Sequence, residues 1–189
     1  MKNLIKDFLS FFVFSKYKNI WNIKNYLVKN DKESGIVASV YDHYINQKGS
    51  YIGIKSQFAN TPYFPHGLLG IFISDMTKIG KNAIIFQQVT IGADRLIDSN
   101  NQGNPTIGDN VYIGAGAKII GNVKIGNNCR IGANAVVYFD MPDNSVAVAS
   151  PTRLIQKENL DNRFIVANSD GSLRYYKDGK FYPLEKENV

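Results

Sequence analysis

The chain has 189 residues, of which 44% are hydrophobic and 20% charged, a composition that indicates a folded globular protein rather than a disordered or collagen-like chain. No stretch approaches the roughly 20 apolar residues that span a bilayer. The single cysteine, Cys129, excludes an intramolecular disulfide framework and a multi-thiolate zinc site, so we expect a cytoplasmic location. The 22 basic and 16 acidic residues give a net charge of +6, which suits an anionic ligand and equally suits a lysine-coated surface.

Residues 1–48 are predicted to form a helical cap. Apolar residues recur three and four positions apart from Leu4 to Phe12, and a second apolar segment, Ile36–Ile45, follows a Ser-Gly pair. We expect these helices to cover one end of the domain that follows. The apolar face near the start of the chain also suits peripheral contact with a membrane surface.

A six-residue repeat organises residues 49–155. Isoleucine occupies nine of the ten positions on this grid, which are Ile73, Ile79, Ile85, Ile91, Ile107, Ile113, Ile119, Ile125, Ile131 and Val137. Small or short residues, such as Cys129, lie four positions after most of these grid residues. This period fits a chain that runs straight, turns and repeats, with one large and one small side chain inside each side. Glycine or asparagine would take the backbone angles of the corners. Three sides would close a coil, and successive coils would stack about 4.8 Å apart.

The grid breaks once, because sixteen positions separate Ile91 from Ile107, whereas twelve or eighteen would keep the register. The intervening residues are polar, so we predict that 93–106 is a loop projecting from one corner. Residues 156–189 change pattern again. Three short apolar runs are separated by Asp170-Gly171 and Asp178-Gly179, which predicts a β-hairpin or meander tail.

Three segments of the coils carry a resemblance to a known family: Ile107-Gly-Asp-Asn-Val-Tyr-Ile-Gly-Ala-Gly-Ala with the repeats that follow, Phe64-Pro-His-Gly-Leu-Leu-Gly, and Phe86-Gln-Gln-Val-Thr-Ile-Gly. Over about residues 50–155 the chain resembles the hexapeptide-repeat acyltransferases. It is most similar to the serine-acetyltransferase branch and its relatives that O-acetylate sugars and surface polysaccharides. The resemblance implies an all-β-dominated fold, a left-handed parallel β-helix between the helical cap and the β tail. It also implies acetyl-CoA as a substrate and a homotrimer with active sites between subunits.

Acyl transfer from a thioester to a hydroxyl requires a base close to that hydroxyl. The chain has two histidines, and His66 matches the catalytic histidine of the family, whereas His43 falls in the predicted cap and is expected to be structural. Relatives that use serine place an orienting aspartate fifteen residues earlier, where this chain has Tyr51. The partner of His66 therefore stays open among Tyr51, a backbone carbonyl and a carboxylate from another subunit.

The resemblance also implies where acetyl-CoA binds. Backbone groups at Ala115 and Ala133 match the positions that contact its pantetheine arm, and Arg153 matches the basic residue that reaches its phosphates. Tyr138 and Phe139 stand close to where relatives often have a lysine, and we expect them to stack on the adenine.

The acceptor is expected to be a sugar hydroxyl, and the loop residues Arg95 and Asn104 are expected to contact the acceptor. This expectation follows from two departures: Pro65 replaces an aspartate, and Gly103-Asn104-Pro105 replaces the Arg-His-Pro of serine enzymes. Serine O-acetylation and a non-catalytic binding scaffold remain as alternatives. A zinc hydratase on the same coil would need three histidines, so no metal is expected. No known module supports nucleic-acid binding.

Overall fold

The structure is a computed structural model that describes residues 2–150, 164–168, 170–177 and 180–184. The chain divides into two compact units, residues 1–150 and residues 151–189. The first unit contains three helices followed by short strands, and the second contains a small sheet. No described helix is long and apolar enough to cross a membrane.

The first unit begins with helices α1 (Lys2–Tyr17), α2 (Ile20–Lys29) and α3 (Ile36–Asn46). Asn19 caps α2, because its side chain accepts a hydrogen bond of 2.9 Å from the Asn22 amide. The helices pack through buried apolar side chains and extend the core of the coils, and the Tyr41 hydroxyl donates to the Ile52 carbonyl at 2.9 Å. The predicted N-terminal helical cap is therefore confirmed.

The strands of the coils form three parallel β-sheets, which are the three faces of the solenoid. The first face contains β1 (Tyr51–Ile52), β3 (Phe72–Ile73), β6 (Thr90–Gly92), β9 (Lys118–Ile120) and β12 (Val136–Val137). The second contains β2 (Gln57–Phe58), β4 (Lys78–Ile79), β7 (Thr106–Ile107) and β10 (Lys124–Ile125). The third contains β5 (Ile84–Ile85), β8 (Tyr112–Ile113), β11 (Arg130–Ile131) and β13 (Val146–Ala147). Each coil turns at a first–second, a second–third and a third–first corner.

The isoleucine grid runs through the inside of these coils. Across the break in the repeat, Ile79 pairs with Ile107 on the second face, and Ile91 pairs with Ile119 on the first. The grid isoleucines are buried, and so is Cys129, whose thiol donates to the Pro142 carbonyl at 3.2 Å. Burial of these branched side chains on every face supplies the hydrophobic stabilisation of the solenoid.

Asparagines occupy the second–third corner in successive coils. Asn82, Asn110, Asn128 and Asn144 adopt positive φ values of 55–59°, a conformation that asparagine tolerates better than most residues. Their side chains form a hydrogen-bonded ladder that begins at Asn60, with N···O distances of 3.0–3.3 Å. The corners thus repeat their side-chain chemistry as well as their backbone geometry.

Two irregular segments complete the description. The loop between β6 and β7 leaves the first–second corner and is closed by an antiparallel bridge between Asp94 and Gly103. In the second unit, β14 (Phe164–Ala167), β15 (Leu173–Lys177) and β16 (Lys180–Pro183) form an antiparallel meander. The predicted β tail is therefore confirmed, although Asp178-Gly179 lies outside the described residues.

Candidate active site

His66 lies on an insertion at the third–first corner. Tyr63 and Phe72 are nine positions apart, whereas their strand partners Ile84 and Thr90 are six positions apart. The three extra residues push the corner outwards, and Gly67 and Gly70 take positive φ values of 69° and 65° within it. The imidazole is consequently exposed rather than packed inside the coil.

Gln87 is the side-chain partner of His66. The His66 Nδ1 atom lies 2.7 Å from Gln87 Oε1 on the next coil. Because an amide oxygen only accepts, this contact has Nδ1–H donating and leaves the lone pair on Nε2. Phe86 meets the imidazole edge to face, with ring centroids 5.5 Å apart. The ring is therefore held in the tautomer that a general base acting through Nε2 requires.

The same corner carries the two positions expected to contact pantetheine. The Gly116 amide donates to the Gln87 carbonyl at 3.0 Å, and the Asn134 amide donates to the Ala115 carbonyl at 2.9 Å. Gln87, Ala115 and Ala133 thus stand in successive coils along one ridge that begins at His66. The short side chains of Ala115 and Ala133 leave the ridge open to an extended ligand.

Tyr51 does not contact His66 among the described interactions. Its hydroxyl donates to Asp75 Oδ2 at 2.6 Å, at the opposite end of the first face from the His66 loop. Burial and this carboxylate together raise the pKa of Tyr51 to about 12, so the phenol stays protonated and donating. Within the protomer, Gln87 takes the role for which Tyr51 was one candidate.

The remaining predicted residues lie at the first–second corner or outside the described residues. Exposed Tyr138 and Phe139 follow the last strand of the first face, with ring centroids 5.5 Å apart. Asn104 accepts a 3.4 Å hydrogen bond from Ser74, and Arg95 lies on the same projecting loop. One protomer therefore does not bring these four residues to the His66 corner. Arg153 lies outside the described residues.

A cavity of about 520 Å³ opens beside His66. Helices α2 and α3 form one wall of it and the His66 loop forms the other. Trp21 from α2 stacks on Phe64 with a 5.5 Å centroid separation and a 6° angle between the rings. No sequence pattern marked Trp21 or Gln87 as a site residue. Gln87 stood in the quoted Phe-Gln-Gln segment, but nothing marked Trp21, whose role depends on how the cap packs.

No group of three or more His, Cys, Asp or Glu side chains within the described ranges is placed to hold a metal ion. Lys24 is a buried lysine on helix α2 of the cap. Its ammonium donates to the carbonyls of Gly53, Ile54 and Ser56 at 2.7–2.9 Å. It therefore fastens α2 to the first coil and plays no direct part at the His66 corner.

Part of the coils matches a known protein family. Residues 104–138 match the family described as bacterial transferase hexapeptide (six repeats). Serine acetyltransferase from Helicobacter pylori is 38% identical over 96 residues, covering 51% of this chain and 54% of the relative. The Staphylococcus xylosus enzyme is 37% identical over 103 residues, covering 54% and 46%. This chain thus spans about half the length of these curated relatives.

The solved structures that match this chain include serine acetyltransferases as well. Serine acetyltransferase isoform 3 from Entamoeba histolytica, in complex with cysteine, matches with a TM-score of 0.60 at 30% identity. The match covers 73% of this chain and 50% of that protein's chain. The Neisseria gonorrhoeae enzyme in complex with serine has a TM-score of 0.59 at 26% identity and covers 71% and 55%. The expected left-handed β-helix is therefore confirmed.

The same findings overturn the expected acceptor. The matching relatives are named serine acetyltransferases, and the structural neighbours hold cysteine or serine, so the prediction of a sugar or polysaccharide hydroxyl is wrong. Pro65 and Gly103-Asn104-Pro105 were therefore poor grounds for excluding serine. A substrate can be held by groups other than the ones replaced. Residues 104–138 of the coils match the hexapeptide-repeat transferase family, and about half of this chain is similar to serine acetyltransferases.

Proposed function

We propose that this protein transfers the acetyl group of acetyl-CoA to the hydroxyl of L-serine, with His66 as the general base. The observation that carries the proposal is the contact between His66 Nδ1 and Gln87, at the head of the ridge formed with Ala115 and Ala133. It leaves an exposed Nε2 lone pair beside a cavity. The names of the relatives supply the acceptor, serine.

The proposed reaction is a direct transfer. His66 Nε2 takes the proton of the serine hydroxyl while its oxygen attacks the thioester carbonyl carbon. The carbon–sulfur bond then breaks, and protonated His66 returns the proton to the departing thiolate, giving O-acetylserine and free CoA. A covalent acyl-enzyme is not part of the proposal, because the only thiol, Cys129, is buried inside the coils.

The donor would lie along the ridge. Backbone groups at Ala115 and Ala133 would contact its pantetheine arm, and Arg153 would neutralise its phosphates. Tyr138 and Phe139 would stack on its adenine. Since these two aromatics stand at a different corner from His66, the proposal includes a homotrimer in which two subunits build each site.

The remaining expectations belong to the same proposal. Arg95 and Asn104 would contact the acceptor from the projecting loop. The exposed side chains of Phe8, Phe11 and Phe12 on α1 would give peripheral contact with a membrane. Burial of the lone Cys129 is compatible with a cytoplasmic location, although it does not require one.

The test is CoA thiol release from acetyl-CoA in the presence of L-serine. Substituting His66→Ala should lower turnover at least about a hundredfold, the usual scale for loss of a general base. The matched control is His43→Ala, which removes the other histidine. His43 contacts Asp7 at 2.9 Å within the helical cap, so this variant should retain near-wild-type turnover.

Two results would contradict the proposal. Equal turnover in the His66→Ala and His43→Ala variants would remove His66 from the chemistry. Absence of both serine-dependent thiol release and calorimetric acetyl-CoA binding at millimolar concentration would favour the alternative, a non-catalytic β-helix scaffold. A correctly folded His66→Ala variant, judged by circular dichroism, is needed for the first comparison.

A further inference from the structure

The cavity beside His66 belongs partly to the helical cap. Its lining includes Ile20 and Trp21 from α2, Tyr44 from α3, and Lys48 just after α3, together with the His66 loop. At about 520 Å³ it falls in the size range of small-molecule sites. The cap therefore does more than cover the first coil, since it forms half of the space into which His66 opens.

Lys48 gives this cavity a positive charge. None of the described residues that line it is acidic. The described ion pairs join His43 to Asp7 and Lys55 to Glu33, so neither involves Lys48. Lys48 is exposed, and its ammonium lies 5.6 Å from the centroid of the Tyr44 ring, which lines the same cavity. An ammonium that lines a cavity and takes part in none of the described ion pairs is suited to an anionic group of a ligand.

The backbone around Lys48 is fastened to the loop that carries His66. The Gly70 amide donates to the Lys48 carbonyl at 3.4 Å. The buried Ser50 hydroxyl donates to the Leu68 carbonyl and accepts from the Ile71 amide at 2.8 Å. The end of α3 and the His66 loop are consequently one hydrogen-bonded unit, which holds the imidazole and Lys48 on facing walls of one cavity.

We propose that Lys48 binds the carboxylate of the acceptor amino acid while His66 faces its hydroxyl. This inference rests on the proposed function, because it assigns the acceptor end of that same site. It also offers a replacement for the missing Arg-His-Pro sequence, because Lys48 of the cap supplies a cation for the acceptor carboxylate. Lys48 is thus a specificity-determining residue, and it takes no part in proton transfer.

The kinetic test compares Lys48→Met and Lys48→Arg with Lys81→Met, which removes an exposed lysine at the second–third corner. Lys48→Met should raise KM for L-serine about tenfold, the scale of a lost charge-assisted hydrogen bond, with kcat and KM for acetyl-CoA little changed. Lys48→Arg should recover most of the affinity because it keeps the charge. An unchanged serine KM in Lys48→Met would overturn the inference while the proposed function stands.

A binding test separates the two proposals. Trp21 is the only tryptophan of the chain and lines this cavity, so its fluorescence reports occupancy without turnover. L-Serine should change the signal with a half-saturation about tenfold higher in Lys48→Met, whereas serinol, which lacks the carboxylate, should titrate equally in both proteins. Carboxylate-dependent binding without acetyl transfer would defeat only the proposed function. No response to L-serine, or equal affinity for serine and serinol in the wild type, would overturn the Lys48 site.

Discussion

The amide of Gln87 decides which nitrogen of His66 is available for chemistry. In a histidine-based general base, the group that receives the second N–H fixes both the tautomer and the ring orientation. Here that group is a neutral amide oxygen 2.7 Å from Nδ1. Under the proposed function, Gln87 acts through His66 and is a positioning residue.

Replacing Gln87 should impair turnover without weakening substrate binding. We expect Gln87→Leu to lower kcat roughly tenfold to a hundredfold, the scale of a misplaced catalytic group, with both KM values nearly unchanged. Gln87→Glu keeps an acceptor and adds a negative charge that favours protonated imidazole, so the acid limb of its pH–rate profile should move to higher pH. Gln57→Leu, an exposed glutamine on the second face, is the control. Unaltered kcat and pH profile in both Gln87 variants would show that another group orients His66.

At the scale of elements, Lys24 attaches helix α2 to the first coil. Its side chain is only 2% exposed and donates to three carbonyls at the first–second corner. Burial lowers the pKa of Lys24 from 10.5 to about 7, although the nearby Asp75 carboxylate opposes this shift. The folded protein thus releases the proton near neutrality, whereas the unfolded chain keeps it to much higher pH.

This difference predicts how stability changes with pH. Between pH 7 and about 10 the unfolded chain holds more protons at Lys24, so the free energy of unfolding should rise with pH, by at most about 1.4 kcal/mol per pH unit. Urea unfolding of the wild type and Lys24→Met isolates this contribution, because other titrations cancel in the difference. Lys29→Met, on the same helix but exposed, should show no such trend. A difference that stays flat over this range would mean that the three carbonyls keep Lys24 charged.

The repeat predicts the coils because every sixth side chain must be buried, and this requirement is visible in the isoleucines. Asparagine at the corners follows from the same argument. The asparagine ladder does not, because its members are 22, 28, 18 and 16 positions apart along the chain. Insertions change these separations from coil to coil, so the pairs become visible only when the coils are stacked. The sequence did not predict the contact between His66 and Gln87, which are 21 positions apart, for the same reason. Nor did it predict that the cap forms a wall of the cavity.

At the scale of the whole molecule, the proposed donor contacts lie at two corners. His66, Ala115 and Ala133 mark the third–first corner, whereas Tyr138 and Phe139 stand at the first–second corner. The projecting loop leaves this second corner as well, and its residue Ile97 is 98% exposed. Under the proposed function, a complete site therefore requires two copies, and a closed ring of three would complete three sites.

Mixed trimers test this arrangement directly. Light scattering should first give a mass three times the 21.1 kDa of the protomer. His66→Ala and the double variant Tyr138→Ala/Phe139→Ala should each have little activity alone. Refolded together in equal amounts, they should recover about a quarter of wild-type turnover, because that fraction of sites draws an intact corner from each neighbour. If one protomer built the whole site, every chain would carry a defect and mixing would restore nothing.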